Sequence, residues 1–253
     1  MKITFLGTGT SSGVPLIGCT CEVCRSLDYR DKRLRVSIHL EVGGKSFVID
    51  TGPDFRQQML RESILQLDAV LFTHEHKDHT AGLDDVRAFN FLQRRDMPIY
   101  ARASVLEQLQ SEFAYVFAEK RYPGIPRLQL NEIKNEPFEI EGVSFVPIEV
   151  KHLHLPVFGF RVHDFAYITD VNFISETEQE KLRGLDVLVL GALQREPHPS
   201  HYTLSEALEM IERIKPKRAF LTHISHKMGL QRELDVELPP HIRLAYDGLR
   251  LVL

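Results

Sequence analysis

The chain reads as an α/β protein in which two packed mixed sheets are flanked by helices, an αββα sandwich. Three observations point there. Apolar runs of strand length recur throughout, at 2–6, 36–42, 46–49, 69–72, 98–101, 143–150, 158–162, 165–169, 187–190, 218–222, 242–245 and 249–252. In both halves of the chain, antiparallel-looking runs come first and strand–helix alternation follows. Helical spacing is clearest at Leu204, Ala207, Leu208, Ile211 and Ile214, entered through Thr203 with Glu206 three residues on as a capping box. Weaker helical spacing covers 54–62, 83–94, 103–118 and 175–183.

Taken in order, the elements gain their interest from what stands at their ends. Met1-Lys2-Ile3-Thr4-Phe5-Leu6 is short, reads as a strand and runs into glycines, so it does not continue as an export or membrane-spanning stretch. The next loop carries all three cysteines, Cys19, Cys21 and Cys24. A disulfide framework explains that crowding poorly and metal binding explains it well. Three thiols leave a structural zinc one donor short, and His226, three residues past His223, is the fourth. The strand at 46–49 ends at Asp50 in Ile49-Asp50-Thr51-Gly52, which suggests a carboxylate that fixes a ligand's orientation without binding metal itself.

Ala69-Val70-Leu71-Phe72 runs directly into Thr73-His74-Glu75-His76-Lys77-Asp78-His79, which contains His-x-His-x-Asp-His. Packing does not account for four metal-competent side chains in six positions. Imidazole and carboxylate together suit Zn, Mn or Fe. Two histidines at i and i+2 can chelate one ion where the backbone turns off a strand, which leaves Asp78 and His79 for a second. Farther on, His152 and His154 follow the strand at 143–150. Asp170 ends Phe165-Ala166-Tyr167-Ile168-Thr169, where a lone carboxylate would be costly to desolvate unless it met cations or capped a helix. His223 closes Arg218-Ala219-Phe220-Leu221-Thr222. The stretch 113–127 mixes Phe113, Tyr115, Phe117, Lys120, Arg121, Tyr122 and Arg127, and suits either a packed loop or a lid over an anionic substrate.

These motifs resemble those of the metallo-β-lactamase-fold hydrolases. The resemblance implies a two-metal centre with His74, His76 and His152 on one ion, Asp78, His79 and His223 on the other, and Asp170 between them, with His154 as the alternative to His152. Gly7-Thr8-Gly9 through Gly13-Val14-Pro15 to Cys24, together with Leu221-Thr222-His223-Ile224-Ser225-His226, narrows the likeness to PhnP-like cyclic phosphodiesterases over nearly the whole chain. That subgroup carries a histidine ahead of the helix before the last active-site strand. His201 stands there, and His198 competes with it. The resemblance then implies Asp78 and His201 as catalytic side chains, two divalent catalytic ions (Mn or Zn) and one structural Zn. The expected reaction is hydrolysis of a small, cyclic ribose or nucleotide phosphodiester by hydroxide held between the ions.

Bulk properties bound the alternatives. The 253 residues show no linker or composition break, so one domain spanning 1–253 is expected. Hydrophobic content of 43%, charged content of 26% and a net charge of -4 give no general attraction to nucleic acid or anionic membrane. That weighs against a tRNA 3′-processing endonuclease, which needs a basic grip on a large polyanion. A non-catalytic PqqB-like carrier would be expected to have lost donors, and the full set is present. The reading is of a cytoplasmic enzyme, alone or as a homodimer, acting on a small phosphodiester with no membrane partner.

Overall fold

A computed structural model of the chain describes residues 1–118 and 123–253. The strands of the first sheet are β1 (Lys2–Gly7), β2 (Ser37–Val42), β3 (Lys45–Ile49), β4 (Ala69–Leu71), β5 (Met97–Ala101) and β6 (Leu128–Glu132). Those of the second are β7 (Phe138–Ile140), β8 (Val143–His152), β9 (Leu155–Val162), β10 (Phe165–Ile168), β11 (Phe173–Ile174), β12 (Val187–Gly191), β13 (Arg218–Thr222) and β14 (Ile242–Leu244). The last strand, β15 (Arg250–Val252), returns to the first sheet. The orders are β15-β1-β2-β3-β4-β5-β6 and β11-β8-β9-β10-β12-β13-β14, with β7 paired to β8. Each sheet is mixed: β1–β2–β3 and β8–β9–β10 are antiparallel, whereas β3–β6 and β10–β14 are joined in parallel.

The continuous apolar runs have a direct cause. Both faces of these strands are buried, so each strand supplies two cores. Phe165, Tyr167, Val187, Val189 and Phe220 point between the sheets, where they meet Phe5, Ile38 and Phe47. Ala166, Ile168, Leu188, Leu190, Ala219 and Leu221 alternate with them and pack under the helix Leu204–Ile214. A third cluster, with Val48, Val70 and Ile99, lies between the first sheet and the helices Phe55–Glu62 and Ala103–Glu112. Helix, sheet, sheet and helix therefore stack in four layers, as expected. The capping box is formed: Thr203 Oγ1 accepts from the Glu206 N–H at 3.2 Å, and Glu206 Oε2 accepts from the Thr203 N–H at 2.8 Å.

Several boundaries differ from expectation. The helix expected over 83–94 is a 3-10 turn, Leu83–Val86, followed by Arg87–Gln93. That expected over 103–118 breaks where Phe113 leaves helical angles and buries its ring, giving Ala103–Glu112 and Ala114–Phe117. The strands β6, β7 and β11 and the helix Gln231–Glu237 had no predicted counterpart. β6 and β11 are edge strands with one partner each, so only half of their residues needed to be apolar. Of the 113–127 stretch, Phe113 is buried, Tyr115 donates to Asp84 and Arg127 pairs with Asp96, which is the packed-loop alternative; Lys120, Arg121 and Tyr122 lie outside the described residues. Among the described residues no helix is long and apolar enough to cross a membrane.

Candidate metal centre and active site

The donors gather where strands of both sheets end. β3 stops at Asp50, β4 runs through Phe72 and Thr73 into His74, β8 ends at His152, β10 leads through Thr169 to Asp170, and β13 leads to His223. Three of these end residues, Asp50 (φ 66°), Asp170 (φ 41°) and His223 (φ 59°), have left-handed backbones. For side chains other than glycine this costs on the order of 1–3 kcal/mol each and persists only where surroundings enforce it. The sharp turns bring adjacent strand ends to one point. His76 caps the short helix Lys77–Thr80 in extended conformation, so Asp78 and His79 rise from its first turn into the same space.

That helix is pulled against the Asp50 loop by a close backbone approach. Thr51 N–H donates to His79 O at 2.7 Å and Gly82 N–H donates to Thr51 O at 2.8 Å. A Cβ on Gly52 would stand 2.2 Å from Asp78 O, so only glycine permits the contact. The result is a buried hydrogen-bond frame. Asp50 Oδ2 lies 2.7 Å from His79 Nδ1 and accepts from the Thr73 hydroxyl at 2.8 Å, while Asp50 Oδ1 accepts from the Thr73 N–H at 2.9 Å. With its proton given to Asp50, Thr73 Oγ1 can accept from His74 Nδ1 at 3.0 Å. Asp50 thus takes the orienting place expected of it. Nothing but adjacency to His74 marked Thr73 in the sequence.

The inward nitrogens and oxygens converge tightly. Asp170 Oδ2 lies 3.2 Å from His79 Nε2 and 3.3 Å from His223 Nε2; Asp78 Oδ2 lies 3.3 Å and 3.7 Å from the same two atoms. On the other side His74 Nε2 is 4.0 Å from Asp170 Oδ1 and 3.0 Å from His76 Nδ1. The His152 ring stands 5.8 Å from His74 and 5.3 Å from His76, its Nδ1 donating to Ser200 O at 2.8 Å, which leaves Nε2 free to face them. His154 lies exposed on the β8–β9 turn, away from the cluster. All seven expected donors are therefore brought to one place, and His152 takes the position for which His154 was the alternative.

His201 joins them from the loop ahead of the Leu204–Ile214 helix. Its Nδ1 is 4.0 Å from Asp170 Oδ1, and its ring stacks on His223 at 4.8 Å and 17°. The His198 ring is one step farther out, 5.1 Å from His201. A device that sequence reasoning missed steadies this side. Asn172 accepts from the Leu153 N–H at 2.9 Å and donates to Pro199 O at 3.1 Å, lacing three rim loops together.

Electrostatics make the cluster unsatisfied on its own. Burial works against charge on His79, yet Asp170, Asp50 and Asp78 outweigh it and hold its pKa well above the usual value. Burial likewise works against the carboxylate of Asp170, but His223, His79 and His74 outweigh it and hold it well below. Asp78 is lowered for the same reason, His79 and His223 overcoming burial. His74 is driven well below the normal range by burial and by its imidazole neighbours, and His201 is pushed down to about 3 by burial and by His223. His79 Nε2 and the ring nitrogens of His223 are buried without a hydrogen-bond partner among the described residues. Buried nitrogens without hydrogen-bond partners, with His79 Nε2 and His223 Nε2 facing carboxylates, are what divalent cations satisfy, and the nitrogen–oxygen donor set suits Zn or Mn.

The second cluster lies close by in sequence. Cys19 Sγ and Cys21 Sγ stand 3.3 Å and 3.4 Å from His226 Nδ1, and the donor atoms of Cys19, Cys21, Cys24 and His226 all fall within 4.8 Å of one another. Cys21 is lowered to about 6, chiefly by the Cys24 N–H, and so offers a thiolate at neutral pH; burial raises Cys24 to about 11. Three sulfurs and one imidazole match a closed tetrahedral zinc site.

Comparison with known proteins gives the family and the fold. Residues 45–224 match the β-lactamase superfamily domain. An octanoyltransferase of Porphyromonas gingivalis is 41% identical over 256 residues, covering 100% of this chain but 52% of that protein, so the chain spans about half the length of this relative. Among solved structures, a diphosphatase from the PhnP family is 41% identical with a TM-score of 0.93 over 100% of this chain and 97% of that one. Zn2+-bound PqqB from Methylobacterium extorquens, 19% identical with a TM-score of 0.81 over 100% of both chains, shares the fold.

Proposed function

From the premise that this chain belongs to the metallo-β-lactamase superfamily, among its PhnP-like members, we propose that it hydrolyses small phosphodiesters, cyclic ribose or nucleotide phosphates in particular, in the cytoplasm. Two divalent ions, Mn or Zn, held by His74, His76, His152, Asp78, His79, His223 and Asp170, would neutralise phosphate oxygens and make water a nucleophile at neutral pH. The protein's own part is orientation. Asp50 and Thr73 fix the rings of His79 and His74, and the Ser200 carbonyl fixes His152. Asp78 and Asp170 supply the negative charge that draws cations to one point.

The observation that carries the reading is His201. It is a neutral imidazole stacked on His223 and 4.0 Å from Asp170, yet it is surplus to a seven-donor set. There its N–H can meet a phosphate oxygen or the departing alkoxide. A second reading, cleavage of a diphosphate linkage, is favoured by the 41% identical diphosphatase. Both involve attack at phosphorus. A turnover screen on Mn- or Zn-loaded protein, with bis(p-nitrophenyl) phosphate, 2′,3′-cyclic nucleotides, a nucleoside diphosphate sugar and nitrocefin, tests it. Hydrolysis of the cyclic nucleotides ahead of the diphosphate is expected. Preference for the diphosphate selects the second reading, and turnover of nitrocefin alone defeats both.

A further inference from the structure

The stretch 222–226 belongs to both donor clusters. His223 faces Asp78, His79 and Asp170, and three residues on His226 faces Cys19 and Cys21. We infer that the cluster of Cys19, Cys21, Cys24 and His226 sets the metal affinity of one catalytic subsite, that of Asp78, His79 and His223, and leaves the subsite of His74, His76 and His152 untouched. The inference rests on the binuclear reading above and adds a one-sided coupling to it.

The physical reason lies in how His223 is held. At φ 59° it occupies a backbone conformation that persists only under constraint from its neighbours. Before it, β13 supplies the constraint, with Thr222 O accepting from the Ala192 N–H at 2.9 Å. After it, Ile224 is bonded to the N-terminal loop: Ile224 N–H donates to Thr8 O at 2.9 Å and Thr10 N–H donates to Ile224 O at 3.1 Å. That loop runs on into the cysteines. Val14 pairs with Arg33 in both directions, at 2.9 and 2.7 Å, and beyond that point the segment meets His226 through sulfur. The cysteine cluster therefore fastens the loop to the same short stretch that the loop braces, with Ile224 inside the closed circuit.

The other subsite is tied to that stretch more remotely: the Ser225 N–H donates to Leu193 O at 2.9 Å, seven residues ahead of Ser200, and none of its donors adjoins the 222–226 stretch in sequence. His74 is oriented by Thr73 and His152 by Ser200, and His76 stands on the turn between them; none shares a loop with the cysteines. Freed from its sulfur partners, the 222–226 stretch can relax toward ordinary backbone angles, and His223 moves with it. His74 and His152 do not.

The test is metal binding, with turnover left aside. Protein keeping zinc in its cysteine site is stripped of its other ions with a mild chelator and titrated with Co2+, and two dissociation constants are read from the visible bands. Relative to wild type, H226A and C21S should weaken one constant about 10- to 100-fold, while the other stays within about threefold and H226C, which retains four soft donors, restores wild-type values. Cys21 is exposed, so C21S is the milder change, and the unmoved constant reports that the fold is intact. Equal weakening of both constants, or of neither, overturns the coupling. If wild type takes up only one Co2+, the binuclear reading fails instead.

Discussion

The two donor clusters are separated by three residues on one loop, yet they are built in opposite ways. The cysteine cluster is mostly local: three of its four donors lie within six residues of sequence, Cys21 is exposed, and the fourth, His226, comes from the stretch after β13. The imidazole–carboxylate cluster is assembled from the ends of β4, β8, β10 and β13 in two sheets, and its His74, His79, Asp170 and His223 are almost wholly buried. A mostly local site tolerates more error in the fold, because spacing places three of its four donors. A site made of strand ends inherits its accuracy from sheet register and from backbone turns that ordinary residues resist.

That contrast is sharpest at Asp170, which faces donors from every contributing element. Asp170→Ala should lower kcat on the order of 10³-fold and leave His79 and His223 facing one carboxylate fewer, while an ion held by the cysteines stays put. Metal analysis showing loss of the cysteine-bound ion as well would mean that the clusters stand or fall together. Next comes His201, whose donor atom lies with those of His152 and Asp170 but which is surplus to the seven expected donors. His201→Ala should reduce kcat about 10²-fold with metal content unchanged. A parallel loss of bound metal would recast His201 as a ligand.

A smaller effect is expected from Asp50→Asn, which keeps the shape around His79 and removes the charge that orients it. Catalytic metal affinity should drop about 10-fold, and added metal should recover turnover. Turnover that stays low at saturating metal would show that Asp50 acts beyond orientation. Least of all should turnover respond to Asp247, the carboxylate under the N-terminal loop that accepts from Thr8 and from the Leu34 N–H. Burial raises it to about 6 from an ordinary 3.8, so the folded state prefers the protonated acid. Its contribution is full below pH 4 and is lost as pH rises through about 6, a span worth at most about 3 kcal/mol. Asp247→Asn should flatten thermal stability between pH 4 and 6 and leave kcat at neutral pH alone. A steep slope that survives in the variant would place the titration elsewhere.

The fold was legible because the strands that matter are apolar on both faces. β10, β12 and β13 feed two cores each, so their runs stand out from any surroundings. β6, β7 and β11 were not, because short strands at an edge or beside a single partner need few apolar residues. The donors were legible for a related reason: His74, Asp170 and His223 each follow such a run directly, where a polar residue has little reason to stand unless something meets it. The groups that aim the donors were harder to see. Thr73 works through a hydroxyl between two other residues, Ser200 through a carbonyl that every residue owns, and Asn172 through contacts distant in sequence. Spacing cannot mark a residue whose role depends on what lies across a turn.

The left-handed backbones of Asp50, Asp170 and His223 have an evolutionary consequence. At each of those positions glycine would relieve the strain, so selection for robustness alone pulls toward an inert sandwich that melts later. Only continued demand for the chemistry keeps acids and imidazoles there. A library of this protein sorted purely by heat resistance should therefore drift toward losing its activity at these three turns first.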